Sequence, residues 1–108
     1  MSQDYLGEFE HMVLLAIVRL GKEAYGLAIK DELEAVAGRS PSSGSLYTTL
    51  DRMERKGLVR SSAGEGTAER GGRPRRYVEV TAAGQAQLAR SRETLLALWN
   101  GIEKGLTS

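Results

Sequence analysis

The chain of 108 residues has no cysteine, one histidine and two prolines. The absence of cysteine excludes a disulfide scaffold, a thiol nucleophile and cysteine-based zinc or iron–sulfur sites. With a single histidine, we expect no metal and no cofactor. The longest uncharged apolar run, residues 12–18, has seven residues, which is too short for a membrane-spanning helix.

Catalytic signatures are also missing. No Gly-x-Ser-x-Gly elbow occurs, and Gly21-Lys22-Glu23 has an acid where a phosphate-binding loop needs Ser or Thr. We therefore expect a protein that is not an enzyme. Three acidic residues among the first ten do not fit a signal peptide, so a cytoplasmic location is expected.

The positive charge is concentrated in one quarter of the chain. Residues 1–50 have four basic and seven acidic side chains, whereas residues 51–76 have eight basic and four acidic ones. Four arginines fall within seven residues: Arg70, Arg73, Arg75 and Arg76. A basic cluster on a nearly neutral chain indicates an anionic partner, with nucleic acid as the first candidate. The alternative is a solvated charged loop.

The spacing of apolar residues predicts three helices, a two-stranded hairpin and a last helix. The helices are expected at about 5–20, 26–37, 43–57 and 82–105, and the strands at 58–62 and 76–81. The fold class is therefore mainly α with a small β-hairpin. This order is typical of a winged helix-turn-helix over residues 1–81, followed by a C-terminal dimerisation helix over residues 82–108.

Four stretches of the chain resemble the PadR-like family of transcriptional regulators. The run 44–59 resembles the recognition-helix signature of this family, and Tyr25-Gly26 resembles the start of its second helix. The runs 72–77 and 80–84 resemble its wing and the entry to its last helix. The resemblance covers about residues 6–84. It implies a dimeric winged-helix repressor that responds to a small molecule, in the family's short form with a single C-terminal helix.

Candidate DNA contacts lie at the start of the third helix. Hydroxyl side chains at a helix N-terminus suit phosphates. We expect Ser42 or Ser43 to cap the helix and the other hydroxyls to contact DNA. The resemblance favours a DNA contact for Tyr47, which could instead pack at the rim of the core. Arg52 shares a face with Thr48 and could reach a guanine or a phosphate, or pair with Asp51 or Glu54.

The arginines of the loop between the strands would lie over the DNA backbone or the minor groove. Arg76 could instead pair with Glu79. The complete set of expected DNA-binding residues is Ser42, Ser43, Ser45, Tyr47, Thr48, Arg52, Arg73, Arg75 and Arg76.

A second copy of the chain is the expected partner of the last helix. Apolar residues recur along it at seven-residue steps, and its length of about 36 Å exceeds what a compact domain needs. The expected dimer interface comprises Phe9, Val13, Leu88, Leu95, Trp99, Ile102 and Leu106. The alternative is a helix that folds back onto its own domain. Trp99 is also a weak candidate for a ligand contact, although packing is favoured for it.

We therefore expect a sequence-specific, DNA-binding transcriptional regulator, a ligand-responsive repressor that binds a palindromic operator as a homodimer. The partners would be double-stranded DNA, a second copy and an optional small-molecule effector, without a membrane. The alternative is a winged-helix module for protein interaction or RNA binding, because a fold does not determine a function. Hydroxyl side chains beside a basic loop favour duplex DNA over a protein partner.

Overall fold

The computed structural model of the protein describes residues 5–66 and 74–106. The described residues form five α-helices, a 3₁₀ turn at Gly21–Glu23 and two strands. In chain order these are α1 (Glu8–Leu20), α2 (Gly26–Ala37), α3 (Ser43–Arg55), β1 (Val59–Gly66), β2 (Pro74–Val80), α4 (Ala82–Trp99) and α5 (Glu103–Leu106). The predicted fold class, mainly helical with a small hairpin, is confirmed.

Side-chain caps determine where two of the helices begin. The hydroxyl of Ser42 accepts a hydrogen bond from the N–H of Ser45 at 3.0 Å, which starts α3. The hydroxyl of Thr81 accepts one from the N–H of Gly84 at 3.1 Å, which starts α4. Such caps satisfy backbone N–H groups that have no partner within the helix.

The hairpin is joined to the start of α2 by a third backbone pairing. Strands β1 and β2 are antiparallel, with Val59 opposite Val80. On the other edge of β2, the N–H of Val78 donates to the carbonyl of Ala24 at 2.9 Å. The hairpin of β1 and β2, which is the wing of the winged helix, is therefore attached to the beginning of α2.

The core is formed by residues from α1, α2, α3 and the hairpin, and α4 adds one side chain. The largest fully buried side chains are Leu14, Ile17, Ile29, Leu46, Leu50, Met53 and Val13. Two residues expected at a dimer interface belong to this core. Val13 has no exposed surface, so it offers no area that a second chain could cover, and its burial contradicts the interface prediction. Leu88 keeps a 9% exposed edge, and its place at an interface stays a prediction.

The last helix is shorter than expected. Helix α4 ends at Trp99, and Gly101 adopts a φ of 88° before the single turn of α5 begins. A positive φ is incompatible with a continuous right-handed helix, so the predicted helix over 82–105 is interrupted. Beyond the core, apolar side chains are 41–69% exposed at Leu95, Leu96, Leu98, Trp99, Ile102 and Leu106.

The C-terminal elements give the chain an extended shape. The radius of gyration is 15.7 Å, whereas a compact chain of this length would have about 13 Å. No helix within residues 5–66 and 74–106 is long and apolar enough to cross a membrane.

Candidate nucleic-acid interface

Helix α3 buries one face and exposes the opposite one. Its buried side chains are Leu46, Thr49, Leu50 and Met53. At about 3.6 residues per turn, the centre of the opposite face comprises Gly44, Thr48, Asp51 and Arg55, and all four are exposed. Within the described part of the chain, Arg55 has no ion-pair partner. The sequence pattern placed Thr48 on this face but did not single out Arg55, which lies about two turns further towards the C-terminal end.

One flank of α3 is fixed to the wing by Arg76. Its guanidinium contacts Asp51 at 2.9 Å and Glu54 at 2.8 Å, and its Nε donates to the hydroxyl of Ser61 at 2.9 Å. Hydrogen bonds from Ser61 and Arg76 lower the pKa of Glu54. All three guanidinium nitrogens of Arg76 are therefore occupied.

The alternative that Arg76 pairs with Glu79 is wrong, whereas its expected contact with DNA stays a prediction. It does not pair with Glu79, because Glu79 contacts Arg60 at 3.5 Å. Its guanidinium instead contacts two carboxylates of α3, and its side chain remains 31% exposed. Its role is to hold the hairpin against α3.

The other flank of α3 is fixed to α1 by Glu10. This carboxylate accepts hydrogen bonds from Nε of Arg52 at 3.0 Å and from Nζ of Lys56 at 3.2 Å. Arg52 therefore pairs with neither Asp51 nor Glu54, and its side chain remains 42% exposed. Glu10 lies 42 residues before Arg52 in the sequence, so the spacing of residues within one helix does not indicate this partner.

A polar cavity of about 120 Å³ lies where α2, α3 and β2 meet. The residues around it are Tyr25, Gly26, Leu27, Lys30, Ser43, Tyr47, Arg75 and Arg76. These residues supply three basic side chains and no carboxylate. Nζ of Lys30 donates to the hydroxyl of Ser43 at 3.3 Å. Lys30 was missed by sequence reasoning, although it lies one turn after the Tyr-Gly pair that resembles the family pattern.

The hydroxyl of Tyr47 lies against the first turn of α2. A Cβ atom at residue 26 would collide with this hydroxyl, so the close approach requires glycine. The described residues provide no side-chain cap for α2. The N–H groups of its first turn therefore add donors and partial positive charge beside the cavity.

Arg75 lies at the edge of the same cavity. Its guanidinium carbon is 4.3 Å above the ring centroid of Tyr25, a cation–π geometry that restricts its orientation. A hydrogen bond with Tyr77 raises the pKa of Arg75 above its usual value. Its Nε is buried and has no hydrogen-bond partner among the described residues.

The three serines have different environments. Ser42 is the cap of α3, which resolves the choice left open by the sequence. Ser43 lies at the cavity, and Ser45 is exposed. Arg73 lies outside the described residues. The cavity and the exposed face of α3 thus gather Ser43, Tyr47, Thr48 and Arg75 from the expected set.

A groove of about 660 Å³ runs between the start of α1 and α4. Nδ1 of His11 lies 3.0 Å from the hydroxyl of Ser91 across the two helices. Phe9 is partly buried beside the core. Leu95 lines this groove and also borders the exposed apolar patch that contains Trp99, so the groove and the patch are continuous along α4.

The chain is similar to known regulators over most of its length. Residues 14–90 match the model of the transcriptional regulator PadR-like family. A PadR-like transcriptional regulator from Bacillus cereus superposes with a TM-score of 0.74 at 22% identity, covering 93% of this chain and 92% of that chain. A PadR family regulator from Eggerthella lenta superposes with a TM-score of 0.69 at 29% identity, covering 94% and 88%. No match was found among curated proteins.

Proposed function

The chain belongs to the PadR-like family of transcriptional regulators, DNA-binding proteins that are not enzymes, and we propose that it acts as a cytoplasmic, homodimeric repressor. It binds a palindromic operator and releases it when a small molecule binds. Residues 1–81 bind DNA, and residues 82–108 hold the two copies together.

The observation that carries this proposal is the convergence of donors around the cavity between α2, α3 and β2. Lys30, Arg75 and Tyr47 contribute two cations and a hydroxyl, and no carboxylate borders the space. Its volume of about 120 Å³ suits a single phosphodiester group. A phosphate held there positions the protein without reading sequence, because phosphate contacts set register and orientation.

Base reading is assigned to the exposed face of α3. Thr48 and Arg55 lie on the exposed face of α3, the surface that a winged helix inserts into the major groove. Arg55 replaces Arg52 in this role, because the guanidinium of Arg52 is already paired with Glu10. A guanine contacted through O6 and N7 is the partner that suits an arginine.

The homodimer is supported by the exposed apolar side chains of α4 and α5. Leu95, Trp99 and Ile102 are 41–50% exposed in one chain, and a second copy would cover them. A two-fold dimer matches a palindromic site whose half-sites lie about 34 Å apart, or a multiple of that distance.

The groove between α1 and α4 is the proposed site of the effector. Polar groups of His11 and Arg90 and the apolar side chain of Met12 border it. A molecule bound there would favour a different spacing of the two recognition helices and so lower DNA affinity. Equal affinity of the effector for the free and the DNA-bound dimer would exclude this mechanism.

Fluorescence anisotropy tests the proposal with the duplex upstream of the protein's own gene and a scrambled duplex, over a range of salt concentrations. We expect tighter binding to the native duplex that weakens with salt. Arg75→Gln and Lys30→Gln should each weaken binding and reduce the salt slope by about one.

The matched control is Lys22→Gln, which removes a cation that lies in the 3₁₀ turn away from the cavity. It should bind like the unaltered protein. If all three variants lose the same affinity, the effect is one of net charge and the cavity is not the phosphate site. Absence of binding to either duplex at low salt would favour the protein-interaction alternative.

A further inference from the structure

Glu10 is a buried carboxylate that faces two cations of α3. The residue is 5% exposed. One carboxylate oxygen accepts from Arg52 at 3.0 Å and from Lys56 at 3.2 Å, and the other accepts from the N–H of Gly7 at 3.1 Å. Glu10 thereby joins the start of α1 to the C-terminal half of the recognition helix.

The carboxylate is ionised at neutral pH. Burial by itself raises the pKa of Glu10, but hydrogen bonds from Arg52, Gly7 and Lys56 outweigh it, and the net pKa is lowered. The side chains of Arg52 and Lys56 remain 42% and 34% exposed, so both border the surface of α3. A permanent negative charge therefore lies directly behind two surface cations.

We infer that Glu10 is a specificity-determining residue, which withholds Arg52 and Lys56 from the phosphates of DNA. The inference rests on the proposed function, in which α3 enters the major groove. Sequence-independent affinity arises from cations that neutralise phosphates, whereas discrimination arises from contacts with base edges. By pairing with two cations at the margin of α3, the carboxylate lowers sequence-independent affinity for phosphates. Contacts with base edges are left unchanged.

The opposite flank of α3 shows the same compensation with the charges reversed. There a single cation, Arg76 of the wing, contacts the carboxylates of Asp51 and Glu54. Of the three basic residues at the end of α3, the remaining one, Arg55, is exposed and has no ion-pair partner within the described residues. The ion pairs thus leave the central face of the helix as the surface where an uncompensated cation meets DNA.

A purely structural role of Glu10 predicts different behaviour. If the ion pairs only stabilise the fold, their loss lowers stability and weakens or preserves DNA binding. If they withhold the two cations, their loss strengthens binding to any sequence and makes it more sensitive to salt. The salt slope therefore separates the two roles.

The test compares Glu10→Gln with the unaltered protein on the operator and on a scrambled duplex, by anisotropy over a salt series. We expect tighter binding to the scrambled duplex and a log–log salt slope that is steeper by about 0.9 for each freed cation that reaches a phosphate. The ratio of operator to scrambled affinity should fall. The matched control is Glu8→Gln, which removes an exposed carboxylate of the same helix and should not change the slope.

Three further variants complete the test. Arg52→Gln in the presence of Glu10 should leave the salt slope unchanged, and this holds even if Glu10→Gln folds poorly. The inference is overturned if Arg52→Gln reduces the slope by about 0.9, or if folded Glu10→Gln binds the scrambled duplex no more tightly than Glu8→Gln. If Arg75→Gln and Tyr47→Phe bind the operator as tightly as the unaltered protein does, the DNA surface lies elsewhere and the proposed function itself fails.

Discussion

The position of the Tyr47 hydroxyl depends on a residue in another helix. Gly26 leaves the space in which the hydroxyl lies, and a Cβ atom there would collide with it. The hydroxyl consequently lies beside the uncapped N-terminal turn of α2 and the side chain of Lys30. This grouping of donors from two helices is what makes the cavity suitable for a phosphate.

Replacing Tyr47 with Phe should weaken DNA binding without unfolding the protein. A hydrogen bond to a charged group contributes about 1.5–3 kcal/mol, so a loss of roughly tenfold or more in affinity is expected. The ring remains in place, so the thermal midpoint should stay nearly constant. Anisotropy and a thermal melt measure the two quantities. Unchanged affinity would show that the hydroxyl does not contact DNA.

The stability contribution of Glu10 should depend on pH. Because its pKa in the folded protein is lowered from 4.5, its stabilising effect is present above that value and is lost as the pH falls through the lower folded pKa. Glu10→Gln should therefore be less stable than the unaltered protein at pH 7, by about 1–3 kcal/mol. The difference should shrink as the pH falls below 4.5.

Urea unfolding of the two proteins at several pH values measures this difference directly. Other acids titrate in both proteins and cancel in the comparison. Glu8→Gln provides the control, because Glu8 is exposed and its ion pair with Arg39 is weak at a surface. A stability gap that stays constant down to acidic pH would show that the charge of Glu10 is not its source.

At the scale of elements, the wing and α3 behave as one unit. Arg76 of β2 connects to two acids of α3, and Ser61 of β1 donates to Glu54 at 2.7 Å. The pairing of Val78 with Ala24 attaches the same hairpin to the start of α2. The angle between wing and recognition helix is thus set by contacts on both strands.

Arg76→Gln should loosen the hairpin and weaken DNA binding, because Gln lacks the charge and the reach to hold both acids. Amide exchange of β1 and β2 should become faster, while exchange within α1 stays the same. Arg60→Gln is the control, since its ion pair with Glu79 lies on the same hairpin but does not touch α3. Equal exchange in the two variants would exclude Arg76 as the link.

The sequence predicted the elements better than it predicted the partners of charged residues. Periodicity located α2 at residues 26–37, and the expected serine cap located the start of α3. The ion-pair partners of Arg52 and Arg76 were missed because they lie 42 and about 25 residues away, on elements whose packing cannot be derived from local spacing. Ion pairs between elements require the fold before they can be seen.

Apolar residues raised a similar difficulty. Val13 follows the same spacing as interface residues, yet it is fully buried in its own chain. The broad apolar face of α1 therefore predicted that this face is buried. It did not indicate whether the same chain or a second copy covers it. The break at Gly101 was also missed, because a glycine within an apolar pattern is compatible with a helix until its φ is known.

The whole molecule presents a protruding apolar end that one chain does not cover. The dimensions of 53 × 37 × 22 Å and the exposed side chains of Leu95, Leu98 and Trp99 describe a surface suited to a second copy. Because this patch is continuous with the groove beside His11, the proposed effector site would lie next to the proposed contact between copies. The spacing of two recognition helices would then depend on what occupies the groove.

Charging the patch should separate the copies. The double variant Leu95→Lys and Leu98→Lys should sediment as a monomer, because two buried cations would oppose the apolar contact. Its operator affinity should fall by about a hundredfold, since the two half-sites would no longer be bound by one molecule. Val36→Lys charges an equally exposed apolar residue on α2 and should remain a dimer. Sedimentation of the double variant as a dimer would mean that α4 does not form the interface.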